Sequence, residues 1–469
     1  MFHSVCPVLL VYKRRYGSKL MLIMTQSALW VSQLQFFSSV GFVLLFFAIE
    51  LGLAWLLLFF RIRSLGRDSS GWLAAYRFWV RVFALSFFLG FSASIPVLLQ
   101  LGSLWPALMD KAGNVVGPLV AAGIVSAFVF KSCFLGAMLF GQRRLSGPVH
   151  VFAVGMVAVG LTLTAMWFVA LLSWMHVPQG ASYIDGAYQV TDWLDVLWNP
   201  AFPWYAGFVV LASFLTVAFL VLGVVAAQTL HRPVEPHQRL AFASAAWIAP
   251  VSLVALVAVL SGSVSMTVNY QPARAAATAA YWHSGTSPDL VLFALPDADA
   301  GENDAELAIR DAGALLLGVD AQGQPRGLDQ FAGMMPPVAL TFWSFRIAFV
   351  GGLLMILVAA GTLWRAARFD YNPAALSSRW RYVLSGSSFL GWVVLLAGFA
   401  HVLFGAYPFA VQGTVTLSEI QSDTSVQVLW GASLVYWLMY AVFFIGFFHM
   451  LRHIARFGVV PVMRNRGKA

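Results

Sequence analysis

The stretch LQFFSSVGFVLLFFAIELGLAWLLLFF, residues 34–60, is apolar throughout except for a few small polar residues and one carboxylate, Glu50. A helix needs roughly 20 apolar residues to cross the hydrocarbon core of a bilayer, so this stretch is long enough to span it. Similar stretches follow at about 75–104, 117–141, 149–176, 203–229, 240–264, 336–364, 382–406 and 426–451. Because they do not alternate as barrel strands do, the sequence predicts an all-α integral membrane protein of about nine transmembrane helices.

The composition favours a lipid environment. Of the 469 residues, 60% are hydrophobic and 10% are charged, whereas charged residues are about a quarter of a typical soluble domain. The net charge of +9 could indicate a nucleic-acid surface, but the basic residues concentrate in alternate loops. By the positive-inside rule those loops and the C-terminus are cytoplasmic, so no nucleic-acid partner is expected. We expect a multi-pass protein of a bacterial-type inner membrane.

The predicted helices divide the chain into five segments. These are an N-terminal tail (1–33), helices one to six (34–264), a long extracytoplasmic connection (265–335), helices seven to nine (336–456) and a basic cytoplasmic tail (457–469). The basic residues near Arg14 conflict with this orientation, so Met21 and Met24 stay open as alternatives to Met1 for the start of translation.

Ionisable side chains inside the predicted helices are candidate functional residues, because a bilayer makes each of them costly. Glu50 and Lys131 are interpreted equally well as functional charges or as salt-bridge partners, either of each other or of another subunit. For Arg346, snorkelling to the membrane edge is favoured over ligand binding. For His401, a hydrogen-bonded core or interface histidine is favoured over a haem ligand.

Metal binding is not predicted. His449 and His453 are four residues apart and share a helix face, as two metal ligands can. They belong to a basic helix end without a third ligand in the sequence nearby. Cys6 and Cys133, the two cysteines of the chain, support neither a disulfide framework nor a cysteine metal site.

Several motifs from about Leu34 to Gly458 resemble subunit I of cytochrome bd quinol oxidases. They occur in the family's order and on corresponding segments: Thr164-Ala165-Met166-Trp167, Trp198-Asn199-Pro200, Tyr270-Gln271-Pro272-Ala273-Arg274-Ala275-Ala276 with Trp282, and Phe345-Arg346-Ile347. This resemblance implies a nine-helix bundle with a long extracytoplasmic quinol-binding loop and a place in respiratory electron transport. Gln271, Arg274 and Trp282 are the quinol-loop-like residues, and we expect them to shape the outer face.

The same resemblance places the family's haem ligands at residues that cannot bind iron. Haem iron takes donors such as His, Met or an anionic oxygen. The family's His, His, Met and Glu positions fall here at Val43, Phe208, Ala348 and about Phe447. Other acidic positions of the family are likewise changed, at Leu98, at Ala122 or Gly123, at Lys131 and, in the loop, at Ala279.

The sequence therefore predicts a haem-poor or haem-free scaffold subunit that pairs with other membrane subunits of a bd-like complex. No catalytic residue is assigned, haem b or d is expected only through relocated or partner ligands, and quinone binding stays open. One alternative is an active quinol:oxygen oxidoreductase with relocated ligands, for which His401, His449 and His453 are the reserves. A second is a transporter or channel with Glu50 and Lys131 on its path.

Overall fold

Long apolar helices make up most of the computed structural model, which describes residues 28–66, 69–285, 287–313, 317 and 324–458. Within these ranges, nine helical spans are long and apolar enough to cross a membrane, as predicted. The helices are α1 (Ala28–Arg63), α2 (Ser69–Leu104), α3 (Pro106–Ser126), α4 (Cys133–Phe140), α5 (Gly147–His176), α6 (Trp193–Leu197), α7 (Phe202–Thr229), α8 (Pro236–Tyr270), α9 (Pro272–Ala279), α10 (Val338–Ala367), α11 (Ser378–Gly386), α12 (Leu390–Ala406), α13 (Leu417–Ile420) and α14 (Val426–Phe457).

Two spans are composite. The third consists of α3, a π-helical turn at Ala127–Ser132, α4 and a 3-10 turn at Gly141–Arg143. The eighth combines α11 with α12. The remaining spans are the single helices α1, α2, α5, α8, α10 and α14, together with α7 preceded by the short α6.

The helix bounds differ from the predicted ones at two places that matter for the site. Helix α1 begins at Ala28, inside the predicted tail 1–33. Helix α8 continues to Tyr270, so residues 265–270 extend a span instead of opening the long connection. The alternative starts Met21 and Met24, and most of the tail 457–469, lie outside the described residues.

Local sequence signals set several helix starts. Proline occupies the first turn of α3, α5, α7, α8 and α9, where its missing N–H removes no intrahelical hydrogen bond. At α8, Glu235 and Gln238 form a reciprocal capping box with each other's backbone N–H groups. The starts of these helices are thus marked by proline and capping residues as well as by the beginning of an apolar stretch.

Three antiparallel hairpins lie between the spans: β1 (Ala181–Ile184) with β2 (Ala187–Val190), β3 (Leu290–Asp297) with β4 (Glu302–Ile309), and β5 (Phe409–Val411) with β6 (Val415–Thr416). They follow the fourth, sixth and eighth spans, which places all three at one end of the bundle, called here the hairpin end. The hydroxyls of Tyr188 and Thr414 join two of the hairpins at 2.5 Å. The long connection contributes α9, β3 and β4 to this end.

Helices α1 and α7 form the most buried part of the bundle. A Cβ added at Gly52 of α1 would lie 2.5 Å from the carbonyl oxygen of Ser213 in α7. Only glycine permits this backbone approach, which is the usual way membrane helices come close together. The core therefore sits around α1 and α7, and the site residues are arranged about it.

Candidate functional site

An ion pair lies inside the bundle. Glu50 of α1 and Lys131 of the π-helical turn are 1% and 9% exposed, and Lys131 Nζ is 2.8 Å from Glu50 Oε2. The ammonium group is also 4.6 Å from the ring centroid of Phe87, within range of a cation–π interaction. The sequence left open whether these two charges are functional or are salt-bridge partners. In the structure they pair with each other.

Two glycines make room for this pair. A Cβ at Gly90 of α2 would lie 2.4 Å from Glu50 Oε1. A Cβ at Gly160 of α5 would lie 2.4 Å from the Cβ of Phe130, beside Lys131 in the π-helical turn. Single π-helical turns within α-helices frequently mark functional sites. Here the wider turn presents Lys131 to α1, an arrangement that apolar periodicity does not predict.

Aromatic rings surround the position of Phe447. This residue is fully buried, with ring centroids of Phe46, Trp392 and Phe389 at 5.2, 5.5 and 6.2 Å. Trp392 Nε1 donates to the carbonyl oxygen of Leu45 at 2.9 Å. These contacts join α1, α12 and α14 through rings that present no donor to iron.

Val43, Phe208 and Ala348 are all partly buried apolar residues. Val43 packs against the same core as Phe447. The ring of Phe208 lies against α12, since a Cβ at Gly398 would be 2.5 Å from Phe208 Cζ. Gly398 thus accommodates a large ring at the position where the family resemblance expects a ligand.

An apolar cavity of about 400 Å³ remains between α1, α12 and α14. Apart from Ser38 and Tyr440 its lining is apolar, with Phe37, Phe42, Leu396 and Phe404 among the lining residues. The hydroxyl of Ser38 already donates to the carbonyl oxygen of Gln35 and accepts from Trp437 Nε1. The cavity therefore offers hydrocarbon surface and few polar contacts.

A hydrogen-bonded chain crosses the hairpin end. Arg274 of α9 donates to the Tyr205 hydroxyl at 2.9 Å and to Thr267 Oγ1 at 2.6 Å. Tyr205 in turn is 2.8 Å from His176 Nδ1. A Cβ at Gly405 would lie 2.2 Å from Arg274 Cδ, so the arginine stem crosses directly over α12. The chain connects four helices, α5, α7, α8 and α9, and passes over a fifth.

The quinol-loop-like residues are more buried than expected. Gln271, Arg274 and Trp282 are 1%, 3% and 8% exposed, although they were expected to shape the outer face. Trp282 Nε1 donates to Asn303 Oδ1 at 2.8 Å, which fixes the indole beneath the β3–β4 hairpin. Gln271 caps α9 and Arg274 lies within it, and both are covered because α9 packs on α10 and α8.

Arg346 is likewise buried and does not snorkel to solvent. It is 8% exposed and donates to the carbonyl oxygens of Thr278 and, at 2.6 Å, Val291. Its guanidinium carbon lies 3.6 Å from the ring centroid of Phe342. Arg346 therefore ties α10 to both α9 and β3.

The histidines do not converge on one site. His401 Nδ1 is 3.2 Å from the carbonyl oxygen of Thr341, so it acts as a donor there. His449 and His453 are exposed near the opposite end of α14. Within the described ranges there is no group of three or more His, Cys, Asp or Glu side chains able to hold a metal ion.

Sequence reasoning missed Tyr205 and His176, two members of the polar chain. Neither side chain carries a fixed charge, and both lie near helix ends, where aromatic residues commonly anchor a membrane protein. The sequence carries no usable signal for them, because the close approach of Gly405 to the Arg274 stem is recognisable only once the helices are placed.

Comparison with known proteins agrees with the fold. The family model of the cytochrome bd terminal oxidase subunit I matches residues 31–459. The chain is 27% identical over 409 residues to cytochrome bd ubiquinol oxidase subunit 1 of Bacillus subtilis (strain 168), covering 84% of this chain and 86% of that protein. It is 24% identical over 503 residues to cytochrome bd-II ubiquinol oxidase subunit 1 of Escherichia coli (strain K12), covering 91% and 96%.

A solved structure has the same architecture. The bd oxidase from Geobacillus thermodenitrificans superposes with a TM-score of 0.82 at 22% sequence identity, and the match covers 91% of this chain and 98% of that chain. At this sequence identity the likeness establishes the helical architecture alone. The chemistry has to be inferred from the residues of this chain.

Proposed function

Because the chain belongs to the cytochrome bd terminal oxidase subunit I family, we propose that it is a haem-poor or haem-free scaffold that pairs with other membrane subunits of a bd-like respiratory complex. The observation that carries this proposal is the packing at the four residues where the resemblance places the family's haem ligands. The side chains of Val43, Phe208, Ala348 and, at about the fourth position, Phe447 are hydrocarbon and cannot donate to iron.

The packing around Phe447 supports the proposal most strongly. A protein interior is packed as densely as an organic crystal, so a haem and a tight ring cluster exclude each other. Phe447 is fully buried between Phe46 and Trp392. Binding a haem there would require these rings to move and would still leave the iron without an axial donor.

The polar residues support a structural role as well. Glu50 and Lys131 neutralise each other in an ion pair, and Arg346 is committed to two backbone carbonyls. His401 is engaged through Nδ1 with the Thr341 carbonyl. These contacts hold helices together, which is the role a scaffold requires.

The exposed faces of the outer spans are apolar, as a surface covered by lipid or by another membrane subunit must be. Helix α14 exposes a stripe of large apolar residues: Leu434, Val435, Leu438, Val442 and Ile445. In a bilayer such a stripe contacts lipid or another apolar helix. The related proteins of Bacillus subtilis and Escherichia coli are themselves described as subunits of oxidases.

Native mass spectrometry of the tagged chain, purified from membranes in a mild detergent, tests the pairing. The proposal predicts a complex of defined mass containing this chain and at least one other multi-pass subunit, with no haem mass on this chain after gentle dissociation. A chain that is released alone, or one that carries haem after dissociation, would overturn it.

A further inference from the structure

A cluster of positive charge is buried at the hairpin end. Arg274 and Arg346 are 3% and 8% exposed, and His401 Nδ1 lies 3.2 Å from the carbonyl oxygen of Thr341 on α10, the helix that carries Arg346. Between described residues, the acidic side chains that form ion pairs do so with Lys111, Lys131, His237 and Arg239. Neither buried arginine forms such a pair with a described residue.

Unpaired polar atoms lie in the same region. Both amide atoms of Gln271, Nε of Arg274 and Oγ1 of Thr341 are buried and have no hydrogen-bond partner among the described residues. Gln271 lies one turn before Arg274, and Thr341 binds His401 through its carbonyl. Buried polar groups are nearly always satisfied, so atoms left over in a native structure call for an explanation such as a ligand. Three of these four atoms are donors.

The buried charges of the cluster also lack a negative partner among the described residues. A guanidinium group does not lose its proton in a protein, and burying a charge without a partner of opposite charge is costly. The cluster therefore combines buried positive charge with spare hydrogen-bond donors.

We propose that this cluster binds an oxyanion, a carboxylate or phosphate group held by Arg274 and Gln271 with Thr341 and His401 at its edge. The ligand supplies the negative charge and the acceptor oxygens that the described residues lack there. This site is independent of whether the chain carries haem. Its anion comes either from solution or from the headgroup of an anionic phospholipid, since the cluster lies where the spans end.

The test is thermal unfolding of the full chain in phosphatidylcholine nanodiscs. Sodium formate or phosphate replaces chloride at constant ionic strength. A ligand that binds only the folded state raises the unfolding temperature in a saturable way. We expect a saturable rise of a few degrees for the wild type and its loss in Arg274→Gln.

A second variant covers the case in which Arg274→Gln does not fold. Gln271→Leu keeps a side chain of similar volume and removes the amide donor, so it should weaken the apparent affinity for formate about tenfold or more. Arg239→Gln is the matched control, because Arg239 is exposed and pairs with Asp370 at the opposite end. Its formate response should equal that of the wild type.

Lipid composition distinguishes the two sources. If a headgroup is the ligand, phosphatidylglycerol nanodiscs raise the unfolding temperature without added formate, and Arg274→Gln removes the rise. If the anion is free, formate or phosphate acts in phosphatidylcholine alone. The proposal is overturned if neither probe nor lipid gives a saturable shift, or if Arg274→Gln and Gln271→Leu respond as the wild type does.

Discussion

Lys131 Nζ lies 2.8 Å from Glu50 Oε2, and the two side chains come from α1 and from the one π-helical turn of the third span. Both are buried. Removing one partner of a buried pair leaves an uncompensated charge, whereas removing both leaves none. The pair links α1 to the third span, and the loss of either residue leaves the other charge buried without a partner.

We expect Lys131→Met and Glu50→Gln each to destabilise the protein strongly, by about 3–5 kcal/mol for the loss of one partner of a buried pair. The double variant should recover a large part of the loss, because it buries no charge. Detergent unfolding of the two single variants and the double variant forms a complete cycle. If the losses of unfolding free energy in the two single variants simply add in the double variant, the two charges do not stabilise each other as a buried pair.

The pair between Lys111 and Glu419 serves as the control for that cycle. Its distance is similar, 3.1 Å, but its side chains are 26% and 43% exposed. Exposed pairs contribute at most about 1 kcal/mol. Lys111→Met should therefore change stability little, which separates the effect of burial from that of the ion pair itself.

The ring of Phe208 lies against the backbone of Gly398, and two alanine variants test the packing at this contact. Phe208→Ala should cost about 3 kcal/mol through the cavity it leaves. Gly398→Ala should cost about 1–3 kcal/mol, because the added methyl meets Phe208 Cζ at 2.5 Å. The double variant should cost less than the sum of the two, measured by unfolding in detergent.

Gly431→Ala is the matched control on α14. A Cβ added there would have no described neighbour within 4 Å, and alanine is the better helix former. We expect unchanged or slightly higher stability. A loss as large as that of Gly398→Ala would show that the penalty at Gly398 arises from the helix backbone and not from Phe208.

Arg346→Met should loosen the long connection without unfolding the bundle. The variant keeps an apolar stem but loses both donors to the carbonyls of Thr278 and Val291. Amide hydrogen exchange should become faster in α9 and β3 and stay unchanged in α14. Arg365→Met, which removes a guanidinium lying 4.1 Å from the ring centroid of Trp380, should leave exchange in α9 as it was.

Glu419 gives a pH prediction outside the spans. Hydrogen bonds from Lys111 and Thr416 hold the pKa of its carboxyl below the ordinary value of 4.5. A carboxylate with a lowered folded-state pKa contributes stability above its ordinary pKa and loses that contribution as the pH falls through the folded value. The unfolding temperature of Glu419→Gln should approach that of the wild type in acid. A difference that stays constant from about pH 7 to about pH 3 would contradict this.

The nine spans were predictable because apolar length is a local property. Residues 34–60 contain enough hydrocarbon to specify a crossing without knowledge of any neighbour. The beginning of α1 at Ala28 was missed, since the polar residues Ser32 and Gln33 are buried there. Helix ends at the membrane edge depend on tertiary contacts that hydropathy does not contain.

The site was predictable only in part. Glu50, Lys131 and Arg346 stood out because a bilayer penalises their charge. Their partners did not, since pairing depends on a π-helical turn, on Gly90 and on the course of α9. Burial of Gln271 and Arg274 followed from the same packing of α9. The resemblance supplied the ligand positions, while the ring cluster about Phe447 required coordinates.

The ratio of haem to protein in the purified chain distinguishes a haem-free scaffold from an oxidase whose haem ligands have moved. A pyridine haemochrome assay and a reduced-minus-oxidised visible spectrum should be recorded on the chain alone and on the complex that copurifies. We predict a haem content well below one per chain in the isolated protein, with any haem of the complex following the other subunits. A stoichiometric haem signal in the isolated chain that disappears in His401→Ala or His449→Ala would show that the ligands have moved, and the scaffold account would be wrong.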